Sequence, residues 1–113
     1  MLTSFHLAAQ SFKMTSLTHK QGQSLGWTAL YTPETGWPAN LSGVTITSTF
    51  IDSQGVLRSI TVVKNVNNLE FTATANTSAW SIGVGNIDFK LTSGGSTWYT
   101  ETIAINVVKH ITA

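Results

Sequence analysis

Apolar and polar side chains alternate along "NIDFKLTSGGSTWYTETIAINVV" (residues 86–108). Ile87, Phe89 and Leu91 recur at every second position before Ser93-Gly94-Gly95-Ser96, and Ile103, Ile105 and Val107 recur after it. A repeat of two puts one set of side chains on one face of an extended strand, and a helix cannot use it. This segment therefore reads as two strands around a tight turn. The same alternation fills most of the chain. "SLGWTALYT" aligns Leu25, Trp27, Ala29 and Tyr31; "VTITSTFI" aligns Val44, Ile46 and Phe50 against Thr45, Thr47 and Thr49. "VLRSITVV" aligns Val56, Ile60 and Val62, with Arg58 breaking the row, and "LEFTATA" aligns Leu69, Phe71, Ala73 and Ala75. Asp52 to Gly55, Pro33 to Gly36, Trp37 to Asn40 and Asn65 to Asn68 supply the turn residues between runs. With a further strand near "MTSLTH", seven strands are expected, at the spacing of an all-β sandwich.

Residues 1–13 stand apart as an N-terminal arm before a sandwich over 14–113. Leu2, Phe5, Ala8, Ala9 and Phe12 have a helix-like spacing, so one or two helical turns are expected there. "NTSAWSIG" is less regular and reads as a short helical turn between strands, and "GVGN" at 83–86 as a connection. The start of the chain lacks the basic region and long apolar run of a secretory signal. No stretch approaches the ~20 apolar residues of a membrane-spanning helix.

A chain of 113 residues fits one domain and buries roughly two-thirds of its unfolded surface. Only 10% of its residues are charged, against about 25% in an ordinary domain. Ser and Thr take their place. Weak mutual repulsion suits a protein packed against neighbours. The six Lys and Arg residues are scattered and the net charge is +1, which excludes the clustered cations of a nucleic-acid footprint. Without cysteine there are no disulfides or thiolate metal sites. The sequons at Asn40 and Asn76 are read as coincidences of a Ser/Thr-rich chain.

Residues able to do chemistry are few and dispersed. Glu34, Asp52, Glu70, Asp88 and Glu101 propose no pair converging on one cleft, as acid–base catalysis needs. His6, His19 and His110 show no metal-ligand spacing and read as surface residues near strand ends. No catalytic residue, metal site or cofactor is expected, and the chain is read as a non-enzyme. Of the tryptophans, Trp27 falls in phase with core positions and Trp80 is expected to cap the core. Trp37, beside Pro38, and Trp98, beside Tyr99, could form an exposed aromatic platform for a protein partner or a sugar. Leu2, Phe5, Leu7 and Phe12 give the arm much apolar surface. An isolated helix of that length is unstable in water, so the arm must pack on its own sheet edge or on a neighbouring subunit. The candidate contact residues are therefore Leu2, Phe5, Leu7, Phe12, Trp37, Trp98 and Tyr99.

Several motifs together resemble a pattern in bacteriophage structural proteins. Gln21-Gly22 leads a strand from Trp27 to Tyr31, and Pro38-Ala39-Asn40-Leu41-Ser42-Gly43 matches a "P-x-[ND]-L-[ST]-G" turn before a Thr-rich strand. "GNIDFKLTSGGSTWYTETIAINVVKHIT" is similar to the closing segment of the same pattern. Gly85-Asn86 stands where an aromatic is usual, and Lys109-His110 where Lys-Asp is frequent. Over residues 20–112 the chain resembles the N-terminal immunoglobulin-like module of siphophage upper baseplate proteins. The resemblance implies an immunoglobulin-like antiparallel β-sandwich in a virion, assembled in the bacterial cytoplasm. A tail or baseplate place is favoured and a capsid decoration role comes next. Its partners would be other virion proteins and copies of itself, with no nucleic acid and no membrane. The alternative is a carbohydrate-binding module of a host-recognition device, whose ligand would be a host glycan.

Overall fold

The computed structural model describes residues 2–8, 16–33, 35–65, 67–100 and 102–112, with backbone only for 2–8 and 16. The described residues form nine strands: β1 (Leu2–Ala8), β2 (Ser16–Lys20), β3 (Leu25–Thr32), β4 (Thr45–Ile51), β5 (Leu57–Lys64), β6 (Glu70–Ala75), β7 (Gly83–Ser93), β8 (Ser96–Tyr99) and β9 (Ile103–Val108). They make an all-β sandwich. The first sheet runs β1-β3-β6-β5 and the second β5-β4-β7-β9-β2, with β8 on β7. β5 belongs to both layers. Its first half, Leu57 to Ile60, pairs with β4, and its second half, Thr61 to Lys64, pairs with β6. A strand that changes sheets in this way makes the corner of a sandwich.

The seven strands expected from alternation are all present, and their inward faces form the core. Leu25, Trp27, Ala29 and Tyr31 of β3 and Phe71 and Ala73 of β6 meet Ile46 and Phe50 of β4, Ile87, Phe89 and Leu91 of β7, and Ile103, Ile105 and Val107 of β9. Phe71 and Phe89 pack edge to face across the two layers, with ring centroids 5.1 Å apart. Arg58, which interrupts the apolar row of β5, keeps the inward phase at the rim and sends its guanidinium to Asp52.

Two strands lie outside those seven. The first is β1. Residues 2–8 are extended rather than helical and pair in parallel with β3, Phe5 opposite Ala29 and Leu7 opposite Tyr31. The helix-like spacing gave way to ladder bonds on an otherwise open sheet edge. The boundary expected at 13/14 lies outside the described residues.

The second is β8. The strand returning from Gly94-Gly95 is broken into β8 and β9, both on the same edge of β7. Between the pairs Lys90↔Tyr99 and Ile87↔Ile103, β7 advances three residues and the return four. One extra residue on one strand is a β-bulge. Its effect is to change the phase, so that Trp98 and Thr100 point inward before the break and Ile103 and Ile105 after it. Thr100 holds the junction, donating its amide to the Phe89 carbonyl while its hydroxyl oxygen accepts the Phe89 amide.

The "GVGN" segment belongs to β7 rather than to a connection. Gly85 lies where a Cβ would come within 2.3 Å of both the Phe50 ring and the Ile51 carbonyl oxygen. This accounts physically for glycine at the position where the phage pattern has an aromatic. Residues 77–80 make a single turn, closed by the Trp80 amide on the Thr77 carbonyl.

Candidate interaction surface

The described carboxylates do not converge. Asp52 is buried at the β4–β5 turn, where Oδ1 accepts the amides of Gln54 and Val56 and Oδ2 faces the Arg58 guanidinium at 3.1 Å. Arg58 also donates to the Ala79 carbonyl, which ties this turn to the segment after β6. Burial pushes the Asp52 carboxyl up, but the Val56 and Gln54 amides, Arg58 and the Ser81 amide outweigh it and bring it down to about 2. A carboxylate held ionised by this many donors is a structural anchor and a poor general acid. Glu70 accepts a hydrogen bond from Asn65. Asp88 faces outward on β7, as its phase implied. Glu34 and Glu101 lie outside the described residues.

His19 is buried, not superficial as its place before a turn suggested. It shares the inward phase of Leu17 on β2, lies beside Trp80, and its Nε2 donates to the Gln23 carbonyl oxygen. The Thr77 hydroxyl donates to the same oxygen and accepts the Gly22 amide. Gln21 donates to the Trp80 carbonyl. The Gln21-Gly22 turn is thus a clamp between β2 and the segment after β6. His110 is exposed, and nothing is described of the His6 side chain. Among the described residues no three His, Asp or Glu side chains group as a metal site.

The tryptophans divide as expected in part. Trp80 does cap the core, stacked on Phe50 with ring centroids 4.2 Å apart. Trp37 and Trp98 come together, 6.2 Å between centroids, but both are half-buried and packed against the core. Tyr99 follows Trp98 on β8 and therefore points to the opposite face, 59% exposed. The three residues do not make one stacking platform.

Leu2, Phe5 and Leu7 lie in β1 on the edge of β3, and Phe12 lies outside the described residues. The motif around Leu41 has a structural task. Leu41 is fully buried as a plug between the sheets, and the Asn40 side chain caps the Ser42 amide. Asn76 caps Ser78 in the same way, so both sequons are local turns.

The feature that alternation alone did not rank is the outer face of the second sheet. Thr45, Thr47 and Thr49 of β4 lie beside Thr92, Lys90 and Asp88 of β7. Toward one end Ile51 pairs with Leu57, and both are exposed, as is Val84. A shallow depression of about 280 Å³ opens there between Ile51, Leu57, Asn86 and Asp88. Its components were legible as the outward phases of three strands; their adjacency needed the register.

No protein-family model matches the chain, and no curated protein matches it. Among solved structures, the cysteine protease inhibitor EhICP2 from Entamoeba histolytica covers 96% of this chain and 97% of its own at 11% identity, with a TM-score of 0.47. The N-terminal domain of phage TP901-1 ORF48 covers 94% of this chain and 97% of its own at 16% identity, with a TM-score of 0.60. The chain shares its all-β fold with that phage domain.

Proposed function

We propose that this chain is a non-enzymatic structural component of a bacteriophage particle, in the tail or baseplate, acting through contacts between subunits. The observation that carries the reading is the likeness, along almost the whole chain, to the N-terminal domain of a phage protein. At this identity the likeness speaks for the fold; the assignment of role is ours. Two physical features support it. The outer face of the second sheet is Thr-rich, and the charges at its centre, Asp88 and Lys90, cancel, as suits a surface meeting neighbours. Asp52, Arg58, Gln21, Thr77, Asn40 and Asn76 are occupied in holding turns together, and among the described residues no buried side-chain nitrogen or oxygen lacks a partner. The separation of Tyr99 from the Trp37–Trp98 pair weighs against the sugar-binding alternative.

The test is deletion of the coding sequence from a phage that carries it. Particles with filled heads but defective tails or baseplates are expected on electron micrographs. Complete, infective particles from the deletion strain would refute the reading. Defective head shells with normal tails would move the protein to the capsid.

A further inference from the structure

We propose that the outer face of the second sheet is self-complementary and packs against the same face of a second copy of this chain. Two of its side chains carry charge at the centre of the face, Asp88 and Lys90. They are of opposite sign, two residues apart on β7, and both lie outside the one ion pair found among the described residues. Residues so spaced lie about 6.8 Å apart along a strand. Each sits in a row fixed by the register. Lys90 lies between Thr47 and Tyr99, and Asp88 lies beside Thr49.

A two-fold axis in the plane between two such faces, crossing β7 between these rows, sets each row on the other. Lys90 of one copy then meets Asp88 of the second, twice. Thr47 meets Thr49, and the exposed Ile51 meets the methyl of Thr45. The pleated, β-branched surface is of the kind sheets use to pack face to face. A face with a single sign of charge would repel its own copy; this one attracts it. The occupant is therefore a second copy, and the contact is isologous. The inference deepens the virion reading by naming a self-contact. Its test is in solution, so it can fail without the virion reading failing.

Sedimentation of the purified chain across micromolar to millimolar concentration is expected to show a reversible dimer. Asp88→Lys leaves two like charges on each face and is expected to weaken the dimer at least roughly tenfold. Lys90→Asp is expected to do the same. Both residues are on the outside of the sandwich, so circular dichroism and melting temperature should stay near wild type. An equimolar mixture of the two variants is expected to restore association, because each supplies the charge the other lacks. A wild-type chain that stays monomeric throughout overturns the proposal, whatever other protein covers the face. So does a dimer that tolerates Asp88→Lys, or a mixture that fails to associate.

Discussion

The two ends of the sandwich are closed by different means. At the end carrying the β2–β3, β4–β5 and β6–β7 connections, polar groups do the joining. Arg58, paired with Asp52, on the Ala79 carbonyl, the His19–Gln23–Thr77 cluster, Gln21 on Trp80 and Ser53 on the Ile82 carbonyl link loops far apart in sequence. At the other end apolar bodies fill the gap. Leu41 plugs the layers, Trp37 leans on Trp98, and Tyr31 sends a single hydroxyl to the Pro38 carbonyl. The difference teaches where each kind of closure is sensitive. Directional bonds to a carboxylate fail with pH and with loss of one partner. Packing fails with volume.

The largest effects should come where the polar end also holds the core. Trp80→Ala removes the ring stacked on Phe50 and is expected to cost about 3–5 kcal/mol in urea unfolding. Gly85→Ala drives a methyl group into the Phe50 ring and the Ile51 backbone, and about 3 kcal/mol is expected, the upper end of overpacking costs. A loss below ~1 kcal/mol for both would mean that this end is held by its hydrogen bonds alone.

Next comes the acid response. The folded Asp52 carboxyl lies at about 2, below its ordinary value of 3.8. A depressed carboxyl contributes stability that is complete above the ordinary value and is lost as pH falls toward the folded one. Melting temperature should therefore drop between about pH 4 and pH 2. In Asp52→Asn that part of the drop should vanish, with a lower melting temperature at pH 7 because Arg58 loses its carboxylate partner and keeps only the Ala79 carbonyl. An unchanged acid profile in the variant would remove Asp52 from the closure of this end.

The contrast also explains what the sequence could disclose. Alternation located the core rows of β3, β4, β6, β7 and β9, because burial on one face of a strand demands it: Trp27, Ile46, Phe71, Ile87, Phe89, Ile103 and Ile105 are all inside. The bulge was hidden in the same signal. Trp98 and Ile103 are an odd number of residues apart, so both can face inward only if the phase shifts between them. Arg58 in an apolar phase, six residues after Asp52, was the trace of the anchor. His19 gave no such trace, since its burial depends on Gln23 and Thr77, which register and turns bring to it. The arm departs from its helix-like spacing because Leu2 and Phe5, three residues apart, suit one helix face and fall on opposite faces of a strand, yet backbone pairing along the open edge of β3 needs no side-chain period. The candidate contact face was legible in parts, as Thr45, Thr47 and Thr49, but its centre at Asp88 and Lys90 emerges only from pairing.

At the apolar end Trp98→Ala should be milder than Trp80→Ala. The ring is only half-buried, tilted against Trp37 and packed on the margin of the core. About 1–2 kcal/mol is expected, within the range for partial loss of a large apolar side chain. Its acid profile should match wild type between about pH 4 and pH 2, because the carboxylate described at this end, Glu70, bonds to Asn65 and not to the Trp37–Trp98 pair. A change in that profile would show that the two ends are coupled through β7.

The smallest effect should be that of Tyr31→Phe, which removes one hydroxyl and leaves the packed ring. The Tyr31 hydroxyl donates to the Pro38 carbonyl at 2.5 Å and holds the Trp37–Pro38 turn against the core. One net hydrogen bond is worth about 1 kcal/mol, which sets the expected loss at neutral pH. Burial also raises the Tyr31 hydroxyl above its ordinary value of 10.0. The unfolded chain then releases this proton before the folded one does. Stability linked to Tyr31 is complete below the ordinary value and declines as pH rises through the folded one. The gap between wild type and Tyr31→Phe should therefore narrow in alkali while it is constant from pH 5 to pH 9. Tyrosinate absorbance at equilibrium would give the raised titration directly, as the component missing from the variant. A titration at the ordinary value, with a gap that does not narrow, would make the hydroxyl solvent-exposed and remove its bond to Pro38 from the closure of that end.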